Sequence, residues 1–220
     1  MRSVLRALLP ESVVVRHLAL RDRKGILLTF DDGPHPDVTP AVLDRLDAFA
    51  ARAVFFLIGS RIERAPHLLR QITERGHLIG NHTYHHRDAD VVGDRRPHFG
   101  MFYHDARRCQ VTVEQYTGRR PRFFRPPGGR LTPVTVLVPK LLGLHCVTWS
   151  ADVGDWRFRS VGEAQAGAER LMRSIKGGDI VLLHDDNPYV LDLLDALLPR
   201  LRADRWDLAS GIDALDGAGD

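Results

Sequence analysis

The segment Asn81-His82-Thr83-Tyr84-His85-His86 carries three imidazoles within five residues. His82 and His86 stand four apart, a spacing that puts both on one face of a single helical turn and lets them grip one cation. His85 is an alternative second ligand. Upstream, Thr29-Phe30-Asp31-Asp32-Gly33-Pro34 sets two carboxylates at the end of an apolar run, and Gly33-Pro34 turns the chain sharply behind them. Adjacent residues of an extended segment point in different directions, so the two acids can have different partners. One completes a His, His, Asp metal site while the other stays free as a base. Each motif alone has a plainer reading: a His pair at this spacing arises by chance on polar helix faces, and Asp-Asp-Gly-Pro is an ordinary surface turn. Together they describe three ligands with coordination positions left open, the mark of a catalytic metal. One divalent ion is expected; zinc suits these ligands best, and cobalt, manganese, iron or nickel also fits.

Three further stretches carry groups of the right chemistry. His184 closes the apolar run Asp179-Ile180-Val181-Leu182-Leu183-His184 and titrates near neutrality, which suits a general acid, although a lone histidine is more often a hydrogen-bonded structural residue. Arg125, in Phe123-Phe124-Arg125-Pro126-Pro127-Gly128-Gly129-Arg130, can orient a carboxylate, and Gly128-Gly129 lets backbone N–H groups approach an oxyanion. The plainer reading there is a basic surface loop, since Arg119, Arg120, Arg122 and Arg130 crowd the same stretch. Asp152-Val153-Gly154-Asp155-Trp156 offers a carboxylate to tune an imidazole and an aromatic wall for a sugar or acyl group.

The elements that must position these groups alternate between two types. Short apolar runs at 26–30, 53–57, 77–81, 122–126, 145–149, 179–184 and 205–209 read as strands. Between them, helical patterns fall at about 40–50, 65–75, 100–117, 132–142, 160–176 and 190–202. Gly76 stands where a helix should stop, and Ser160 with Glu163 forms a capping box. Such alternation means parallel pairing through helical crossovers, in a barrel or a doubly wound sheet. The reactive side chains all sit at carboxyl ends of the proposed strands, and in parallel α/β folds those ends share the face where sites assemble.

With these residues in view, the chain resembles the polysaccharide deacetylases of carbohydrate esterase family 4, the NodB-homology domain. The likeness runs from about residue 25 to about residue 210, through TFDDGP, HTYHH, RPPGG, DVGDW and LLH in the family's order. The resemblance implies an α/β fold, a distorted (β/α) barrel of about seven parallel strands, and metal-dependent removal of acetyl groups from N-acetylated or O-acetylated sugars in oligo- or polysaccharides. Carried over by position, it makes Asp31 the base, Asp32, His82 and His86 the metal ligands, and His184 the acid. Arg125 would position Asp31, Asp155 would tune His184, and Leu182 with Trp156 would line the acetyl pocket. Gly128 departs from the aromatic residue many members carry; it keeps the backbone N–H that faces the oxyanion. A catalytically silent glycan-binding homologue, a related amide or imide hydrolase on the same fold, and a non-haem iron oxygenase are the competing readings.

Composition bounds the rest. The 220 residues suffice for one sizeable core, divided here into an extension packing on the domain (1–24) and the deacetylase-like domain (25–215). A charge balance of 31 basic to 28 acidic residues is mild for a nucleic-acid binder, and none is expected as a partner. Cys109 and Cys146 are too few for a disulfide framework and read as two free thiols. The first residues, MRSVLRALLPESVVVRHLALRDRK, are interrupted by Arg6, Glu11, Arg16 and His17, so no secretory segment is expected and the cytoplasm is favoured. No stretch reaches transmembrane length. Val4, Leu5, Leu8 and Leu9 beside Arg2 and Arg6 suit weak contact with a membrane surface, against the plainer reading of a terminal helix packed on the domain.

Overall fold

The computed structural model of the chain describes residues 10, 13–20, 24–87 and 99–217. The apolar positions Val4, Leu5, Leu8 and Leu9 lie outside them. The strands are β1 (Val14–Val15), β2 (Leu27–Asp31), β3 (Ala53–Leu57), β4 (Leu78–Asn81), β5 (Phe123–Phe124), β6 (His145–Val147), β7 (Ala151–Asp152) and β8 (Ile180–His184). The helices are α1 (Val38–Ala48), α2 (Gly59–Ile62), α3 (His67–Glu74), α4 (Phe99–Thr117), α5 (Pro133–Leu141), α6 (Val161–Ser174), α7 (Tyr189–Ala203) and α8 (Ser210–Gly217). Every residue of β2, β3 and β8 is buried, because helices cover one face and the other lines an interior.

All ladder pairs are parallel, in the order β1-β6-β5-β4-β3-β2-β8-β7. Only Thr148, Trp149 and Ser150 separate β6 from β7, so the two ends of the ladder are drawn round toward each other as a distorted barrel. The chain around β1 spans the remaining gap: Thr148 N–H donates to Val15 O, and Leu18 N–H donates to Gly178 O. Alternation along each strand divides the core. Leu28, Phe30, Phe55, Leu57, Val181 and Leu183 face outward to the helices. Leu27, Val54, Phe56, Phe123, Val147 and Ile180 face inward, where Ile212 and Leu215 of α8 plug one end. Gly211 permits that plug, since a Cβ there would stand 2.5 Å from Ile26 O.

The register then fixes the site. Asp31 pairs with His184, and Asn81 pairs with Phe124, so the residues just beyond these positions meet at one rim.

One expected strand is corrected. Residues 205–209 form no strand: Arg205 is left-handed (φ 58°), only a bridge between Gly25 and Asp207 forms, and Asp207 turns its carboxylate onto the Ala209 and Ser210 N–H groups to open α8. A side chain that satisfies its own neighbouring backbone competes with ladder pairing. β1 and β7, two residues each, are too short to leave a periodic pattern; with 205–209 lost and these two added, the described residues hold eight strands, in keeping with the expected barrel of about seven. The helix boundaries hold more closely, with Gly76 at φ 79° after α3 and Ser160 accepting from Glu163 N–H at the start of α6.

Beneath β3, His77 accepts a hydrogen bond from Ala53 N–H at Nδ1 and lies edge-on to Phe55, while its Nε2 is buried with no hydrogen-bond partner. Burial, helped by Arg52 and Arg75 and opposed by Asp47, lowers its pKa to about 4. The unfolded chain takes up this proton near pH 6.5 and the folded chain only near pH 4, so the neutral imidazole stabilises the fold above about pH 6.5. That contribution fades as pH falls from about 6.5 toward 4, by about 3 kcal/mol in all. Urea unfolding of wild type and His77→Gln at pH 7.5 and 4.5 is expected to show the wild-type advantage shrinking by about 2 kcal/mol at the lower pH; an advantage independent of pH would refute the assignment.

Candidate active site

Inward-facing positions at the carboxyl ends of the strands carry the polar side chains. Arg125 follows β5 and is fully buried. Its Nη1 donates to Asp31 Oδ1 (2.7 Å) and Thr29 Oγ1 (2.8 Å), Nη2 to Thr148 O (3.1 Å) and Nε to Val147 O (3.3 Å). The guanidinium also lies 4.1 Å from the centre of the Phe56 ring. Asp31 is therefore held by one oxygen, and its Oδ2 stands 3.7 Å from His82 Nε2.

The next residue points elsewhere because the backbone reverses. Asp32 is left-handed (φ 72°), a conformation that costs a non-glycine residue strain, and Arg61 Nη1 donates to its carbonyl oxygen (2.6 Å) while pairing with Asp186. The turn closes at Gly33, where a Cβ would lie 2.3 Å from the Asp185 carboxylate. Asp185 is fully buried, accepts from Thr39 Oγ1–H, and has its pKa raised to about 7 by burial, with Asp186 and Asp32 adding to the rise. Asp32 Oδ1 thus sits 3.1 Å from His86 Nε2 and 3.4 Å from His82 Nε2. Burial opposes ionisation of Asp32, but His82, His86 and His184 together outweigh it and hold the carboxyl well below its usual range.

His82 Nδ1 lies 2.8 Å from the carbonyl oxygen of Arg125, which assigns the proton to Nδ1 and leaves the Nε2 lone pair facing Asp32. Burial disfavours the His82 cation, and Asp31 and Asp32 more than restore it. The segment from His82 to His86 is not helical: Thr83 (φ 64°) and His86 (φ 54°) are both left-handed. The i, i+4 spacing still brings the two rings to 4.9 Å between centroids, through an irregular loop instead of a helical turn. His85 turns away, its Nδ1 2.5 Å from Asp105 Oδ1.

Asp32, His82 and His86 offer one ligand atom each, all within 4.8 Å of one another. The Asp32 Oδ1 that faces the two imidazoles is buried and makes no hydrogen bond. Ligand atoms about 2.1 Å from a tetrahedral ion stand roughly 3.4 Å apart, close to the spacing found around Asp32. Two imidazole nitrogens and a carboxylate oxygen therefore fit a divalent cation.

Across the rim, His184 is fixed by a fully buried acid: its N–H donates to Asp155 Oδ2 (2.7 Å), and its Nδ1 lies 2.9 Å from Asp155 Oδ1. Burial would lower the His184 pKa, but Asp155 foremost, then Asp31 and Asp32, raise it to about 9. The Trp156 ring, 39% exposed, lies 5.1 Å from the imidazole, and Leu182 is buried two residues before it in β8. Asp152 stands apart, accepting from Trp149 Nε1–H. Gly128 and Gly129 are both left-handed, and a Cβ on Gly129 would meet the Trp149 ring at 2.2 Å.

Thr29, Arg61 and Asp185 were not singled out from the sequence. Thr29 precedes Asp31 by two on the same strand, so period-two alternation already placed both on one face. Arg61 and Asp185 carry no such signal. Since Arg125 is a buried charge with a buried anion beside it, Arg125→Gln is expected to lower stability by about 3–5 kcal/mol in urea unfolding; a loss below about 1 kcal/mol would contradict the pairing.

The model of the polysaccharide deacetylase family matches residues 20–147. A peptidoglycan-N-acetylglucosamine deacetylase of Bacillus cereus is 37% identical over 186 residues, which are 82% of this chain and 83% of that protein. The peptidoglycan-N-acetylglucosamine deacetylase PgdA of Listeria monocytogenes is 33% identical over 216 residues; these cover 98% of this chain but only 44% of PgdA. Among solved structures, the peptidoglycan deacetylase PdaC from Bacillus subtilis superposes with a TM-score of 0.78 at 26% identity, over 90% of this chain and 94% of its own.

Proposed function

Because the chain belongs to the polysaccharide deacetylase family, we propose that it hydrolyses the acetyl group of N-acetylated sugars in oligo- or polysaccharides. The observation that supports this reading best is the split of Asp31 from Asp32: one carboxylate joins two imidazoles, and its neighbour is held beside them by Arg125.

In this reading Asp32, His82 and His86 hold one divalent ion, zinc by the match of borderline nitrogen and hard oxygen donors. When bound, the ion supplies Lewis acidity toward a carbonyl and a water molecule. Asp31 takes a proton from the water as its oxygen bonds to the acetyl carbon. Arg125 holds and aims Asp31 through its Nη1, and the Gly128 N–H faces the oxygen on which charge develops. His184, with Nδ1 turned to Asp155, presents Nε2 to the leaving nitrogen. As the C–N bond breaks, its electron pair stays on nitrogen and His184 delivers the proton, giving acetate and a free amine. An amine departs poorly without that proton, so the His184–Asp155 pair favours an amide substrate over an O-acetyl ester. Leu182 and Trp156 form the wall against which the acetyl methyl packs.

The test is acetate release from chito-oligosaccharides and peptidoglycan fragments, using metal-stripped protein and the same protein with zinc restored. Restoration is expected to return activity; acetate release indifferent to metal would sink the reading. Asp31→Asn is expected to lose roughly 10²–10⁴-fold in kcat while binding zinc like wild type. Asp32→Asn is expected to lose zinc itself on equilibrium dialysis, so retained zinc in that variant argues against the ligand set.

A further inference from the structure

The loop that carries both histidines is irregular, yet each of its five backbone N–H groups has an acceptor. His82 N–H donates to Leu57 O, Thr83 N–H to Asn81 Oδ1, and His86 N–H to Thr83 Oγ1. The two in the middle, Tyr84 and His85, both donate to one atom, Asp105 Oδ2, at 3.2 Å. The other oxygen of that carboxylate, Oδ1, receives the His85 ring. Asp105 belongs to α4, nineteen residues beyond His86, and only 14% of its side chain is exposed.

The geometry points to Asp105 as a positioning residue that sets the His82–His86 loop for cation binding; this rests on the ligand set proposed above. Tyr84 and His85 lie between the two ligands, so whatever fixes their backbone fixes the separation of the two Nε2 atoms. Two non-glycine residues of the loop, Thr83 and His86, hold left-handed conformations, which persist only where surrounding bonds over-determine them. The opposite edge is tied as well: Gly59 N–H donates to Thr83 O and Ser60 N–H to Tyr84 O. The Tyr84 ring lies under Arg108, 3.5 Å from the guanidinium to the ring centre, with its hydroxyl on Glu63. Asp105 supplies the remaining edge, through an anion that accepts three bonds from two successive residues. Groups that orient metal ligands from behind typically change affinity by about 10–100-fold when removed.

The experiment combines zinc affinity, measured by competition with a chromophoric chelator, with kcat and KM on a chito-oligosaccharide and amide hydrogen exchange of the metal-free protein. Asp105→Ala is expected to weaken zinc binding by about 10–100-fold and to lower kcat with KM little changed. It is also expected to release the Tyr84 and His85 amides to fast exchange. Asp105→Asn keeps an oxygen that accepts both N–H groups, and should recover most of the zinc affinity. Should the alanine variant fail to fold, Asp105→Ser, whose single short hydroxyl cannot span both donors, replaces it in the comparison. Wild-type zinc affinity in Asp105→Ala, or equal losses in the Asn and Ala variants, would overturn the assignment. If wild-type protein binds no zinc, the ligand set fails and this role falls with it, whereas protected Tyr84 and His85 amides in Asp105→Ala would refute Asp105 alone.

Discussion

A guanidinium shut away from water must find its partners inside the protein, and Arg125 finds hydrogen-bond partners on two strands at once. Its carboxylate partner comes from β2, its carbonyl partners from the end of β6 and the residue after it, and its own backbone oxygen receives His82. One buried cation thereby links barrel closure, the aim of Asp31 and the tautomer of His82. An uncompensated charge at that depth is costly, so the pair tolerates little drift in the surrounding strands. The inward face around it is largely apolar, with Phe56 stacked on the guanidinium. The low local polarity that makes the charge expensive to bury also strengthens its hold on Asp31.

From that anchor the division of labour between the two aspartates follows from backbone geometry. Asp31 ends a regular strand and points inward with Thr29, while Asp32, one residue later and left-handed, swings its carboxylate toward the imidazoles. Strain at Asp32 is held in place by Arg61 on its carbonyl and by the buried Asp185 packed against Gly33. Opposite them, Asp155 fixes His184 by both its backbone and its ring. The site is thus assembled from charges that each have a second anchor outside it, which is how a rigid arrangement survives at the open end of a barrel.

Much of this was legible in the residues. Strand and helix alternation gave a parallel α/β fold, because buried strands such as AVFFL and IVLLH leave unmistakable apolar runs, while the choice of a barrel over a doubly wound sheet came from the family resemblance. The five groups at the rim were found because their positions relative to those runs are fixed by local sequence. What failed were features set by distant contacts. RWDLA reads as a strand until Asp207 is seen to cap a helix, and HTYHH reads as a helical turn until Thr83 and His86 are seen to be left-handed. Asp105 on α4 looks like any half-exposed helix acid; only the folded chain brings it beneath His85. Spacing reports which side chains can meet, and the backbone path between them is decided by whatever packs behind it.

The most direct test of the ligand set is X-ray absorption at the zinc edge on the reconstituted protein. Two imidazole rings and further oxygen or nitrogen ligands near 2.0–2.1 Å are expected, with no sulfur in the inner shell. A sulfur shell near 2.3 Å, or scattering from fewer than two imidazoles, would contradict the assignment of Asp32, His82 and His86.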